Sequence, residues 1–326
     1  MRTFDLHADT MIDIAVRRGM GETDVIANHH RDHYRKGDVG GMIYALWTPT
    51  DVEVLSEFNI PEMADSPQDM MMKIASRSFL ELQDSDCVEV GYTAEDMERI
   101  ADSGKTAILL GFEGFYGFNG EPGMIDLFYE AGFRHGMLTW NDDNEFASGA
   151  EFTGEDKGLT ELGIQVIRRM EERGMLIDVS HASEKTFWDI MDHTTGPVIA
   201  SHSNAWSLCP CARNLKDDQI KAIAERGGVI GMNTWKGFIC EDMDSADEKD
   251  LARHARYMAD LVGPEYVACG FDFCNYLDPE GVTPGIETAA ETPQFLKALA
   301  DLGFTDAEIQ GVAWDNVMRV FRKVLR

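Results

Sequence analysis

The first chemically loaded stretch of the chain is Asp5-Leu6-His7-Ala8-Asp9. Side chains alternate faces along a strand, so His7 and Asp9 point the same way and can address one metal ion. An HxD pair by itself is ordinary; its weight comes from what recurs downstream. Leu110-Gly111-Phe112-Glu113-Gly114 ends an apolar run on a carboxylate, which is costly to bury without a strong partner. Ile177-Asp178-Val179-Ser180-His181 and Ala200-Ser201-His202-Ser203 each place an imidazole where a strand gives way to a loop. Five donors exceed the need of one structural zinc, whereas two bridged zinc ions use all five. In that scheme His7 and Asp9 hold one ion, His181 and His202 the other, and Glu113 bridges them. Three imidazoles argue against hard-oxygen metals, while iron, manganese and cobalt stay open as replacements for zinc.

Two further residues complete a hydrolytic site. Asp272, in Cys269-Gly270-Phe271-Asp272-Phe273, is the candidate acid/base. It would take a proton from a metal-bridging hydroxide during attack and return it to the leaving amine. Arg213, in Cys211-Ala212-Arg213-Asn214-Leu215, can clamp a substrate carboxylate through paired hydrogen bonds. Asn214 and Asp217 read as N-caps of the helix that follows. His135 precedes a strand on its N-terminal side and reads as structural. The six cysteines include no CxxC pair and read as reduced thiols.

The elements that must position these groups are eight β-type runs, at 4–8, 42–47, 107–112, 136–140, 176–180, 198–201, 229–233 and 267–271. Helical patterns fall between and after them, clearest at 162–173, 184–192, 217–226, 249–262 and 292–302, with a helical tail over 306–325. Eight βα units close a (β/α)8 TIM barrel, whose active site lies at the C-terminal ends of the strands. An open doubly wound sheet would require a glycine-rich phosphate loop after the first strand, and the sequence has none there. No linker divides the chain, so a single domain over 1–326 is expected. The long segment 53–86 would form an insertion over the barrel mouth.

Composition excludes some partners. The net charge of −29, from 29 basic and 58 acidic residues, repels nucleic acid and anionic membranes. No apolar run approaches the ~18 residues of a membrane span, and a strand begins almost at once, so a cytoplasmic enzyme with a small-molecule substrate is expected. Both a monomer and a homo-oligomer remain open.

Taken in order, DLHADT, GFEG, LTWN, LIDVSH, SHSNA, CARNLKDDQI with GGVIGMN, CGFDF and the terminal GVAWDNVMRVF resemble the membrane or renal dipeptidases, peptidase family M19, among the amidohydrolase-type barrels. The resemblance spans nearly the whole chain. It implies two zinc ions at His7, Asp9, Glu113, His181 and His202, with Arg213 at the dipeptide carboxylate and Asp272 transferring the proton. It also implies hydrolysis of dipeptides, often with a D-residue at the C-terminal position. One position departs from the pattern. Where the family carries a histidine after Leu-Thr that helps polarise the scissile carbonyl, Leu138-Thr139 is followed here by Trp140. Trp140 can donate one N–H but carries no positive charge. That keeps a second reading open: another binuclear amidohydrolase, acting on N-acyl amino acids, cyclic amides or lactones.

Overall fold

The computed structural model describes residues 1–49, 52–58, 60, 61 and 63–326. Its strands are β1 (Thr3–Ala8), β2 (Val39–Trp47), β3 (Val88–Val90), β4 (Thr106–Glu113), β5 (His135–Met137), β6 (Leu176–Asp178), β7 (Val198–Ile199), β8 (Ile230–Met232) and β9 (Val267–Cys269). All pairings are parallel, in the order β7-β6-β5-β4-β2-β1-β9-β8. The ring closes just past β7, where Ala200 pairs with Ile230. The Ala200 N–H donates to Val229 O at 3.1 Å and the Gly231 N–H to Ala200 O at 2.8 Å. The expected eight-stranded barrel is therefore present.

β3 is an additional strand that the sequence reading did not anticipate. It pairs with the first half of β4, from Val88↔Thr106 to Val90↔Ile108, while β5 meets the end of β4 at Glu113↔Met137. The long β2–β4 connection makes room for it. Within 53–86, of which residues 59 and 62 lie outside the described residues, the main element is the helix Pro67–Asp84. The hydroxyl of Ser66 caps it, accepting the Asp69 N–H at 3.2 Å. This helix packs on the helix Thr10–Gly19, where Arg18 meets Glu81 at 2.6 Å and Arg77 Nη1 donates to Ala15 O at 2.8 Å. Phe58 stands over the rim, its ring 5.4 Å from that of Trp47.

Helices Glu161–Arg173, Glu184–His193, Asp217–Glu225, Glu248–Val262 and Thr292–Asp301 fall within two residues of their expected bounds. The first shows how sequence sets an end. Thr160 accepts the Gly163 N–H at 3.2 Å, and the chain leaves through Gly174 at φ 75°. The tail is helical at Asp306–Gln310 and Asn316–Val324, joined by a π-helical turn at Gly311–Asp315. Trp314 and Phe321 set their rings edge-on to Phe4, at 5.8 and 5.0 Å. That contact seals the outer face of β1, and the alternation then sends Asp5 and His7 toward the barrel axis. No helix among the described residues is long and apolar enough to cross a membrane.

His135 pairs with Asp178 inside the barrel, Nε2 to Oδ2 at 2.8 Å, with both side chains fully buried. Gly111 clears the space, since a Cβ there would lie 2.2 Å from His135 Nδ1. Asp178 Oδ1 also accepts the N–H groups of Ser180 and Ser201, at 2.9 and 3.0 Å, and so ties the exits of β6 and β7 together. Burial alone would raise the Asp178 pKa, but the His135 ring and the Ser201 and Ser180 hydrogen bonds outweigh it and hold it down to about 2. A carboxylate depressed in this way stabilises the fold above its ordinary pKa and loses that contribution as pH falls through the folded value. Asp178→Asn is accordingly expected to cost roughly 2 kcal/mol at pH 7, with the deficit shrinking to roughly half by pH 3. Urea unfolding of variant and wild type at both pH values checks this. A deficit that does not change with pH would mean the ionised carboxylate is not its source.

Candidate active site

Five strand ends converge at one rim. His7 lies on β1 and Asp9 just beyond it, Glu113 closes β4, and His181, His202 and Asp272 stand in the loops after β6, β7 and β9. The two oxygens of Glu113 face different neighbours. Oε1 lies 2.9 Å from His181 Nε2 and 3.7 Å from His202 Nε2, while Oε2 lies 3.5 Å from His7 Nε2. His7 Nε2 is also 3.7 Å from Asp9 Oδ1 and 3.8 Å from Asp272 Oδ1. His181 and His202 bring their Nε2 atoms to 2.9 Å. Two sets, His7 with Glu113 and His202, and His7 with Asp9 and Asp272, hold their donor atoms within 4.8 Å of one another.

The local backbone explains the convergence. His181 and Asp272 adopt the left-handed conformation, at φ 64° and 57°, which turns each side chain sharply where its strand ends. Such positions in non-glycine residues cost of order 1–3 kcal/mol and cluster at functional sites. Beneath the rim, Asp5 Oδ1 accepts the N–H of His7 at 3.2 Å and that of Phe271 at 2.8 Å, locking β1 to β9.

A second set of polar groups orients the first. Asn141 Oδ1 lies 2.7 Å from His181 Nδ1, Ser201 Oγ lies 2.7 Å from His202 Nδ1, and Asn233 Nδ2 donates to Asp272 Oδ2 at 3.1 Å. Hydrogen bonds on the far nitrogen fix an imidazole's tautomer and leave Nε2 free to ligate. Asn141, Ser201, Asn233 and Asp5 were not singled out from sequence. Asp5 alone offered a signal, since it shares the period-two face of His7 and Asp9.

The electrostatics favour a cation at the centre. Burial, reinforced by the charge of Asp9, pushes the carboxyls of Glu113 and Asp272 well above the usual range, because several ionised carboxylates cannot share a dry site. Burial holds His181 and His202 far below the ordinary histidine value, keeping them neutral and able to ligate. For His7 burial acts in the same direction but is outweighed by Glu113, Asp9 and Asp272, which raise it. Among the described residues, His7 Nδ1 and Nε2 and Asp9 Oδ1 are buried without a hydrogen-bond partner. Three imidazoles with carboxylates, several of them unsatisfied, fit a transition-metal centre.

A cavity of ≈ 430 Å³ opens over the cluster, floored by Asp9, Glu113, His181 and Asp272 and walled by Trp47 and Trp140. The Trp140 ring lies 5.2 Å from that of Trp47 and 6.1 Å from that of His181. A second cavity of ≈ 300 Å³ shares His181 and is lined by Arg213. Arg213 is buried, its guanidinium 5.4 Å over the ring of Phe238, and among the described residues its Nε and Nη2 have no hydrogen-bond partner. Burial draws its pKa down, while Glu151, Glu113 and Asp272 pull it back up. Asn214 is not the helix cap expected of it, and neither is Asp217. The N-cap is Lys216, whose N–H donates to the Gln219 side chain at 2.9 Å. Asn214 is already committed elsewhere: its Oδ1 accepts the Asn204 N–H at 3.1 Å, and its Nδ2 donates to Cys209 O and Phe238 O, both at 2.8 Å. It thereby fixes the Arg213 loop against Phe238. Asp217 instead accepts from Ser207 and Tyr257.

A parallel eight-stranded barrel with imidazoles and carboxylates gathered at the C-terminal rim is a framework suited to metal-dependent hydrolysis. Residues 1–326 match the model of the membrane dipeptidase family, peptidase family M19. The chain belongs to that family, and with it to the metal-dependent dipeptidases. It is 36% identical to an uncharacterized protein of the pqqA 5′ region in Klebsiella pneumoniae, over 71% of this chain and 87% of that one. It is 33% identical to an uncharacterized dipeptidase of Schizosaccharomyces pombe, over 78% of this chain and 61% of that protein. In fold it is similar to a Rhodobacter sphaeroides metallopeptidase crystallised with a phosphinate mimic of L-Ala-D-Ala. The TM-score is 0.87 at 22% identity, covering 99% of both chains.

Proposed function

We propose that the chain hydrolyses the peptide bond of dipeptides that carry a free C-terminal carboxylate, D-residues at that position included. In this reading His7, Asp9, Glu113, His181 and His202 would hold two zinc ions, with Glu113 shared between them. When bound, the zinc pair would supply a Lewis acid and lower the pKa of the attacking water. The opposed facing of the two Glu113 oxygens supports the bridging assignment.

The chain's own groups do the rest. Asn233 holds Asp272 Oδ2, leaving Oδ1 toward the cluster, where Asp272 takes the proton from the attacking water and hands it to the leaving amine. Arg213 binds the substrate carboxylate through paired, charge-assisted hydrogen bonds. One observation carries the substrate class: a buried guanidinium with two nitrogens that find no hydrogen-bond partner among the described residues, in a cavity that meets the donor cluster at His181. Such a group asks for an anion. The rings of Trp47 and Trp140 would flank the scissile bond. We place the reaction in the cytoplasm, in keeping with six cysteines that are all free.

A kinetic screen of metal-reconstituted protein against L,L- and L,D-dipeptides, their N-acylated forms and N-acyl amino acids tests this reading. Turnover confined to dipeptides with free amino and carboxyl ends is expected. Preference for N-acyl amino acids, cyclic amides or lactones would favour the other binuclear amidohydrolase, a reading that the absence of the family histidine at Trp140 keeps in view.

A further inference from the structure

Ser203 directly follows His202, and its backbone is bolted to β8 by an N–H···O bond to Gly231 at 2.8 Å. The side chain is buried, and among the described residues its hydroxyl has no hydrogen-bond partner. A buried hydroxyl left unpaired is costly, so it calls for an explanation. Its placement offers one. Ala205 pairs in parallel with Leu215, with the Leu215 N–H donating to Asn204 O at 2.9 Å and the Trp206 N–H to Leu215 O at 2.9 Å. Ser203 and Arg213 each stand two residues before these paired positions, on adjacent segments. Both line the ≈ 300 Å³ cavity that begins at His181.

From this juxtaposition we propose that Ser203 is a second carboxylate reader, its hydroxyl donating to one oxygen of the substrate's terminal carboxylate while Arg213 Nε and Nη2 engage the group in its plane. The inference rests on the reading of Arg213 given above. It also gives the two cavities distinct tasks. The scissile bond lies over the donor cluster, and the C-terminal residue passes His181 into the smaller cavity, where Phe152 and Trp206 are available to its side chain. A neutral donor suits this place. It satisfies an anion without adding a second buried cation, whose desolvation would offset much of the gain.

The test compares a free dipeptide with its C-terminal amide, using metal-loaded wild type, Ser203→Ala, Ser203→Thr, Arg213→Met and the Ser203→Ala/Arg213→Met double variant. A reduced-bond dipeptide serves as a non-hydrolysable competitor. A hydrogen bond to a charged group predicts that Ser203→Ala raises KM for the free dipeptide, and Ki for the competitor, about ten-fold or more. kcat should stay within about two-fold and the amide should be unaffected. Ser203→Thr, which keeps the hydroxyl, should restore most of the affinity. In the Arg213→Met background the serine change should add little, because the two groups act on one carboxylate. Equal losses on dipeptide and amide, or loss of metal by elemental analysis, would overturn the proposal and make Ser203 a support for His202. Unchanged KM and Ki in Ser203→Ala would overturn it as well. If Arg213→Met is damaging while Ser203→Ala is silent, only this inference fails; if Arg213→Met is also silent, the carboxylate reading itself fails.

Discussion

Asp272→Asn is expected to leave the metal complement intact and to cut turnover by roughly 10²- to 10⁴-fold, the loss associated with removing a general acid/base. The substitution isolates proton transfer. Asn is among the few residues that tolerate the left-handed backbone at this position, where φ is 57°, so the loop should keep its course. The amide oxygen can still accept from Asn233 Nδ2, which now lies 3.1 Å from Asp272 Oδ2. What disappears is a carboxylate able to hold a proton, in a place where burial already raises its proton affinity. Turnover within about three-fold of wild type would discard the acid/base role. Because Asp272 Oδ1 is only 3.8 Å from His7 Nε2, elemental analysis must accompany the kinetics. Loss of metal would reassign Asp272 as a ligand.

Arg213→Met is expected to lower kcat/KM for a free dipeptide by roughly 2–5 kcal/mol, the range for truncating one partner of a buried charge pair. Methionine keeps the bulk over Phe238 and removes the charge and the planar donors. Asn214, which pins the loop to Cys209 O and Phe238 O, is untouched, so the cavity should keep its walls. A C-terminally amidated dipeptide should be a poor substrate already and should lose little more. Equal falls for both substrates would make Arg213 a support of the fold or the metal centre, and the carboxylate reader would have to be sought elsewhere.

The residues at strand ends were legible because a strand's alternation and its terminus are local properties. His7 with Asp9, Glu113, His181, His202 and Asp272 each announce themselves as polar groups at the end of an apolar run. Which strands stand side by side is not local. Asn141 reaches His181 and Asn233 reaches Asp272 across 40 and 39 residues, and neither pairing follows from spacing in one chain. β3 was missed for a related reason: three residues carry too little periodicity to separate from a loop, and β4 supplies its register. Asn214 shows how local propensity can mislead. It sits where an N-cap is plausible, but its amide is claimed by tertiary contacts, and Lys216 caps the helix instead. Trp140 was visible as a departure, yet only the fold shows it between Trp47 and His181.

The proposed two-metal hydrolytic centre bridged by Glu113 is tested by titrating metal-free protein with zinc while following dipeptide hydrolysis. The donor geometry predicts that activity reaches its plateau only near two equivalents per chain, and that Glu113→Gln shows no such plateau. Full activity at one equivalent, with no further gain from a second, would rule out the two-metal centre.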